Sequence, residues 1–244
     1  MYNEDFIILG GSGFVGSSIY YYISGLKLKN CFHFVSRSKT NSEIRKPNIL
    51  FHSGCIVEKL GQIFFDSNEN KKFIIINLIG SITNNVEKLK NIEELTYTIL
   101  STLNLKNTKK ILHISSSAVY GGLSKTIDLK EDNIPFPNNN YGKSKLILEN
   151  IIKSSSVGEI STILRIGNIL GGDNLTKNLN FDCTQTKKLE IYSDGLSAKR
   201  TYIDPLNLSK LLIYLGNKKN TKYSLYNCGA SKPFFMEEVL KAFK

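Results

Sequence analysis

Short unbroken apolar runs recur along this chain, and the stretches between them carry apolar residues at every third or fourth position. Phe6-Ile7-Ile8-Leu9 is the first run; others lie over residues 31–35, 49–52, 73–78, 110–115 and 160–165. Runs this short and this apolar predict strands buried on both faces. Between them, Val15, Ile19, Tyr22, Ile23 and Leu26 recur at helical spacing, and Leu89, Ile92, Leu95, Ile99 and Leu103 form a stripe along a helix predicted over residues 86–105. Another helix is predicted over residues 141–153. Alternation of this kind gives βαβ units, and so an α/β fold with a parallel sheet covered by helices on both faces.

After Arg165 the pattern breaks. Gly167, Gly171, Gly172 and Asp173 interrupt it, followed by short strand-like pieces at residues 189–192 and 200–203. A helix over residues 206–215 and a strand over residues 223–227 follow. This smaller portion is expected to cap the carboxyl ends of the strands, where open α/β sheets bind ligands. The loop over residues 121–140, with Pro135, Pro137 and Asn138-Asn139-Asn140, is expected to be irregular.

The first strand runs into Gly10-Gly11-Ser12-Gly13-Phe14-Val15-Gly16, a glycine-rich turn that opens a helix. Gly10 permits the sharp turn, Gly13 removes a Cβ that would block phosphates, and Gly16 lets helix and strand pack closely. Backbone N–H groups at the helix N-terminus, those around Ser12, Phe14 and Val15 among them, then face an anion. This predicts a doubly wound parallel sheet of the Rossmann type. Residues 1–165 would form its dinucleotide-binding domain, with 223–227 adding a strand, and residues 166–244 a small substrate-binding portion. On its own the glycine spacing also fits a glycine-rich turn in another α/β protein.

Composition narrows the classes. No run approaches the ~18 apolar residues of a membrane span. Glu4 and Asp5 precede a run far shorter than a signal-peptide core, so a cytoplasmic location is expected. Cys31, Cys55, Cys183 and Cys228 are scattered, without zinc-like spacing, and read as free thiols in a reducing compartment; no metal site is expected. The formal net charge is +11, from 32 Lys and Arg against 21 Asp and Glu. The lysines are spread rather than clustered with aromatics, which argues against nucleic acid and for a basic cleft facing a phosphorylated substrate.

Tyr141-Gly142-Lys143-Ser144-Lys145 is the second signal of chemistry. Tyr141 and Lys145 are four apart and share one helix face. A phenol titrates near ~10, and lowering it by ~3 would take ~4 kcal/mol of differential stabilisation, which a nearby ammonium and a nicotinamide cation could supply. The alternative is the start of a surface helix with a solvated lysine. Ser115-Ser116-Ser117 ends a predicted strand and places hydroxyls at the sheet's carboxyl edge, where one can hold a substrate oxygen. Ordinary capping of the strand end is the alternative there.

In their order, GGSGFVG, Asn77-Leu78-Ile79-Gly80, SSSAVYG, YGKSK, Leu164-Arg165-Ile166-Gly167-Asn168-Ile169-Leu170-Gly171, Arg200-Thr201-Tyr202-Ile203-Asp204 and Tyr226-Asn227-Cys228-Gly229 resemble the extended short-chain dehydrogenase/reductase family. Its members are nucleotide-sugar epimerases, dehydratases and reductases. The resemblance implies that Gly10, Gly13 and Gly16 hold a cofactor pyrophosphate with Ser12, Phe14 and Val15, and that Leu78 and Gly80 lie beside the cofactor. It implies Tyr141 as general acid/base, Lys145 as the group that lowers its pKa and binds the nicotinamide ribose, and Ser116 as the catalytic hydroxyl. Ser81, Ser116, Ser117, Tyr141, Asn168 and Arg200 would meet the substrate, Asn168 and Arg200 at its diphosphate. An arginine fork suits phosphate oxygens.

Departures from the family pattern are informative too. The dehydratases carry Asp and Glu after the catalytic Thr; Ser117 and Ala118 stand here, so water elimination is not expected. The second strand ends in Ser36-Arg37-Ser38, without the acidic residue that accepts ribose hydroxyls in NAD sites. Arg37 between two serines suits a 2′-phosphate, making NADP the preferred cofactor and NAD the alternative; a solvated loop charge would also explain the arginine. Cys55 fills the slot where relatives often place an adenine-reading Asp. Relatives also continue beyond the equivalent of Lys244 with elements that wall the sugar pocket, so a reduced lid, or one completed by a partner, is expected. The reaction expected is reduction of a nucleotide-linked 4-keto-6-deoxy sugar, in bacterial surface polysaccharide synthesis. A nucleotide-sugar 4-epimerase and a non-catalytic cofactor-binding sensor or scaffold are the alternatives. A homodimer formed through the helices beginning near Val86 and Tyr141 is implied by the same resemblance.

Overall fold

The computed structural model describes residues 4–38, 46–103, 105–121, 129–172, 199–218 and 223–242. Its centre is β1 (Asp5–Leu9), all five residues of which are buried. β2 (Phe32–Ser36) and β4 (Phe73–Asn77) flank β1, and β3 (Ile49–Ser53), β5 (Thr108–Ser116), β6 (Ser161–Ile166) and β10 (Ser224–Cys228) complete a seven-stranded sheet in the order β10-β6-β5-β4-β1-β2-β3. Every pairing in it is parallel.

The unbroken apolar runs have a direct cause. Alternate residues of one strand enter two different cores. Phe6 and Ile8 of β1, with Phe34, Ile74 and Ile76, pack against α1 (Phe14–Ser24) and α5 (Pro205–Asn217). Ile7, Leu9 and Ile75 face the opposite way, against α2 (Ile56–Asp66), α3 (Val86–Thr102) and α4 (Asn140–Ser154). Strand order reverses between β1 and β4, which opens a crevice at their carboxyl ends. There the Leu78 N–H donates to the Leu9 carbonyl at 2.9 Å. The strand predicted over residues 223–227 forms as β10 and pairs with β6 in parallel, so the C-terminal part returns a strand to the main sheet.

Several predicted positions shift for packing reasons. In α1 the buried tyrosine is Tyr20, whose ring meets Phe34 and Phe51 edge-on, while Tyr22 is only partly covered. That helix stops at Ser24 with Gly25 as its cap, leaving Leu26 beyond it. In α3, Thr96 is buried where Ile92 is half-covered. The strand predicted over residues 200–203 divides. β8 (Lys199–Arg200) pairs antiparallel with β11 (Phe234–Phe235), and β9 (Tyr202–Ile203) pairs parallel with β7 (Asn168–Ile169). A final helix, α6, spans Met236–Ala242. The strand expected at residues 189–192 lies outside the described residues. Among the described residues Cys31, Cys55 and Cys228 are free thiols, no helix is long and apolar enough to cross a membrane, and no cluster of metal-ligating side chains occurs.

Buried His113 adds to the pH dependence expected of the fold, alongside His33, whose pKa burial pushes down to about 4. His113 of β5 is 3 % exposed, with Nδ1 3.3 Å from Asn77 Nδ2 and Nε2 3.3 Å from Ser161 Oγ. Burial, helped by the Lys145 charge, pushes its pKa down to about 3. A neutral buried imidazole gains a proton on unfolding, so its stabilising contribution is complete above the ordinary value of ~6.5 and is lost as pH falls below that. Urea unfolding at pH 7.0, 5.5 and 4.5 is expected to show stability falling by about 1.4 kcal/mol per pH unit for each such proton. Replacing His113→Gln should remove that share of the slope; an unchanged slope would show that His113 is not the titrating group.

Candidate active site

The site is built where the end of β5 meets the start of α4. Asn139 caps α4, its side chain accepting the Gly142 N–H at 2.8 Å. Asn84, in the loop after β4, braces the same turn: its Oδ1 accepts from the Tyr141 N–H and its carbonyl from Asn140 Nδ2, both at 3.2 Å. A Cβ at Gly142 would lie 2.4 Å from the Ala118 carbonyl oxygen, so only glycine lets the 3₁₀ turn Ser117–Tyr120 press against the helix. That contact sets the Ser116 hydroxyl close enough to the Tyr141 phenol to act on its pKa. Ser116 Oγ also accepts the Ala118 N–H at 3.2 Å, so its orientation is fixed by the turn it caps.

Lys145 lies one turn along α4, buried, with Nζ 5.9 Å from the centre of the Tyr141 ring. It donates to the Ile114 carbonyl at 2.9 Å. A Cβ at Gly80 would stand 3.1 Å from Nζ, so the glycine after β4 leaves the ammonium its space. Burial lowers the Lys145 pKa to about 8, opposed by the charge of Glu149. Burial raises that of Tyr141, opposed by the Ser116 hydroxyl beside it. The protein by itself therefore keeps the phenol protonated at neutral pH. Burial is the largest effect on the phenol, and the lowering expected at Tyr141 calls on the positive charge of a nicotinamide as well as the lysine.

Across the crevice lies the glycine turn. Gly10 has φ +85° and its missing Cβ faces the Leu78 backbone at 3.3 Å, so the turn is tight and close to the end of β4. A Cβ at Gly16 would come within 2.4 Å of the Gly11 carbonyl. Gly13 caps α1 without a side-chain acceptor, leaving the first-turn amides of Phe14, Val15 and Gly16 open to an anion. Ser12 and Phe14 are exposed on the same turn. The Phe14 ring lies over Gly171 and Gly172, where added Cβ atoms would stand 3.3 and 2.7 Å from it. At the end of β2, buried Ser36 donates to the Ser38 carbonyl at 2.7 Å, and Arg37 and Ser38 are exposed. This cradle of open amides, tight glycines and an exposed arginine fits a dinucleotide.

The expected substrate residues fall at the same edge of the sheet. Ser81 is exposed just after Gly80, and Ser117 starts the 3₁₀ turn. Asn168 lies on β7 with its amide donating to the Thr201 carbonyl at 3.4 Å, and Arg200, exposed on β8, immediately precedes Thr201. Sequence reasoning did not single out Asn84, Glu149 or Tyr120, nor assign Arg165 a role. Glu149 could have been noticed as the next member of the series Tyr141, Lys145, Glu149, spaced by four along one helix face.

The family model described as NAD dependent epimerase/dehydratase family matches residues 6–229. The chain belongs to that family, a family of NAD-dependent enzymes. It is 26% identical over 185 residues to a GDP-6-deoxy-D-talose 4-dehydrogenase of Aggregatibacter actinomycetemcomitans, covering 72% of this chain and 55% of that relative, so the match spans little more than half of it. It is 25% identical over a 274-residue alignment to a UDP-glucose 4-epimerase of Yersinia enterocolitica, covering 98% and 81%. Its fold is similar to that of a dTDP-glucose 4,6-dehydratase from Bacillus anthracis in complex with NAD, with a TM-score of 0.78, 19% identity, and coverage of 98% of this chain and 79% of that one.

The contact at Gly142 offers a direct check. Gly142→Ala is expected to push the 3₁₀ turn off α4, lowering stability by about 1–3 kcal/mol in urea unfolding and separating Ser116 from Tyr141. Wild-type stability in that variant would show that the close approach is not required.

Proposed function

We propose that this protein is an NAD(P)-dependent reductase of a nucleotide-linked 4-keto-6-deoxy sugar, acting in the cytoplasm in surface polysaccharide synthesis. The observation that carries this reading is the grouping of the half-buried Ser116 and Tyr141 hydroxyls at the contact between the 3₁₀ turn and α4, with buried Lys145 one helical turn away. When bound, the nicotinamide cofactor supplies the hydride. Tyr141, kept protonated by burial, gives its proton to the C4 oxygen as charge develops there. Ser116 holds that oxygen by a hydrogen bond that strengthens with the charge. Lys145 steadies the resulting phenolate and holds the ribose. The turn after Ser116 carries Ser117 and Ala118, so no carboxylate stands there to remove a proton for water elimination.

The relative named as a GDP-6-deoxy-D-talose 4-dehydrogenase supports C4 chemistry on a 6-deoxy sugar, since oxidation at C4 run in reverse is reduction of a 4-ketone. Exposed Arg37 between Ser36 and Ser38 supports NADP over NAD, by pairing with a 2′-phosphate. Residues 166–244, with Asn168 and Arg200, would hold the nucleotide diphosphate of the substrate. The 4-epimerase relative, matched along 98% of this chain, favours a second reading: transient oxidation and return of hydride at C4 by the same residues. The two differ in how the cofactor is handled. An epimerase should be purified with NAD(H) retained, whereas a reductase should consume NADPH one for one.

Tyr141→Phe is expected to lower turnover of a 4-keto-6-deoxy nucleotide sugar on the order of 100-fold or more while cofactor affinity is kept. Normal turnover in that variant would refute the role of the phenol. α3 and α4 expose Tyr97 and Ile147, and a homodimer through these helices is proposed from them. Light scattering at micromolar concentration should give the mass of a dimer, and a monomeric mass would refute it.

A further inference from the structure

Glu149 follows Lys145 by one helical turn, the spacing at which a lysine and a glutamate ordinarily pair. Here they do not. The Glu149 carboxylate, buried with its partner at 5% exposure each, is taken by Arg165 of β6. Nε lies 3.1 and 3.2 Å from the two carboxylate oxygens, and Nη2 lies 2.7 Å from Oε2. Ser115, beside the catalytic Ser116, donates to Oε1 at 2.5 Å. Arg165 is itself held from behind: Nη1 donates to the Tyr120 hydroxyl at 2.7 Å, and that hydroxyl lies 3.0 Å from the Lys130 carbonyl and 2.8 Å from Asn227 Oδ1. So the arginine cannot swing away, and Lys145 is left to donate to Ile114.

A buried ion pair is a poor way to stabilise a fold, because desolvation offsets its attraction. This one adjoins the single lysine on which the chemistry turns. We propose that Glu149 and Arg165 are positioning residues: the arginine takes the carboxylate that Lys145 would otherwise seize, leaving the ammonium at the Ile114 carbonyl beneath Tyr141. The proposal rests on the reading of Lys145 as the lysine that serves cofactor and phenol. Glu149 stays near enough for its charge to oppose the effect of burial on the lysine. The other groups facing Lys145 are Tyr141 on its own helix, Asn77 on β4, His113 and Ser115 on β5, and Thr96 on α3. Several of them line a cavity of about 20 Å³, room for one water. None of these is a carboxylate, so Glu149→Gln removes the opposing charge at Lys145, and it also leaves Arg165 without its partner, which the double variant Glu149→Gln/Arg165→Met controls for.

The test uses the cofactor-free protein labelled with ¹³C at lysine Cε, Lys145 being assigned by its loss in Lys145→Met. The Lys145 titration is followed by NMR in wild type, Glu149→Gln, Arg165→Met and the double variant Glu149→Gln/Arg165→Met. Glu149→Gln should lower the midpoint by about one pH unit or more, and Arg165→Met should raise it as the freed carboxylate turns to the lysine. Arg165→Met should also weaken NADPH binding, read by quenching of cofactor fluorescence. If the single variants do not fold, the double variant, which leaves no unpaired buried charge, is expected to fold and to show the lowered midpoint. Midpoints equal to wild type in the folded variants would overturn the proposal and leave the pair a structural one. Because this titration needs no sugar, a failure of the reductase reading would appear separately, as absence of turnover in the wild type.

Discussion

The site depends on how closely one turn of backbone approaches one helix. At Gly142 the first turn of α4 meets the carbonyl of Ala118 with no room for a Cβ, and Ser116 and Tyr141 stand on either side of that contact. The approach is enforced from several directions. Asn139 fixes where the helix begins, Asn84 holds the Tyr141 amide, and Ser116 caps the opposing 3₁₀ turn. Polar side chains from two loops, and the cap at the end of β5, thus fix a phenol and a hydroxyl whose relative placement the chemistry cannot relax.

Everything else at the site follows from the sheet. Parallel strands buried on both faces send all their carboxyl ends to one edge, and the order reverses between β1 and β4. The glycine turn after β1, the Leu78 to Gly80 segment after β4 and the serines ending β5 therefore line one crevice. α4 lies on the far side of β5 and reaches that crevice with Tyr141 and Lys145. The lysine enters a place so well desolvated that its charge is only partly secure, and the tyrosine one where its proton is held more firmly than in water. These opposite displacements come from one cause, exclusion of water, and both suit a group that gives up its proton only when charge develops on a substrate oxygen.

Much of this was legible in the sequence because it rests on pattern. Apolar runs revealed the strands, since both faces of each are buried, and glycine spacing revealed the turn because only glycine fits φ +85° at Gly10 and the contact at Gly16. Tyr141 and Lys145 were visible from their spacing. What stayed hidden depends on contacts far apart in the chain. Arg165 looked like the end of a strand, yet it closes on Glu149, 16 residues earlier, and on Tyr120, 45 residues earlier. Asn84 reaches Tyr141 across 57 residues and sits in a polar loop without any periodic signature. Spacing shows the lysine but not the burial that raises the Tyr141 pKa.

The central claim is that this crevice passes a hydride between a nicotinamide and C4 of a nucleotide-linked sugar while Tyr141 moves the proton. It is tested most directly by incubating the protein with NADPH deuterated at the transferable C4 position of the nicotinamide and a panel of 4-keto-6-deoxy nucleotide sugars. NMR and mass spectrometry of the product then locate the label. One deuterium at sugar C4 is the expected result; cofactor oxidation that leaves the sugar unlabelled would contradict the account.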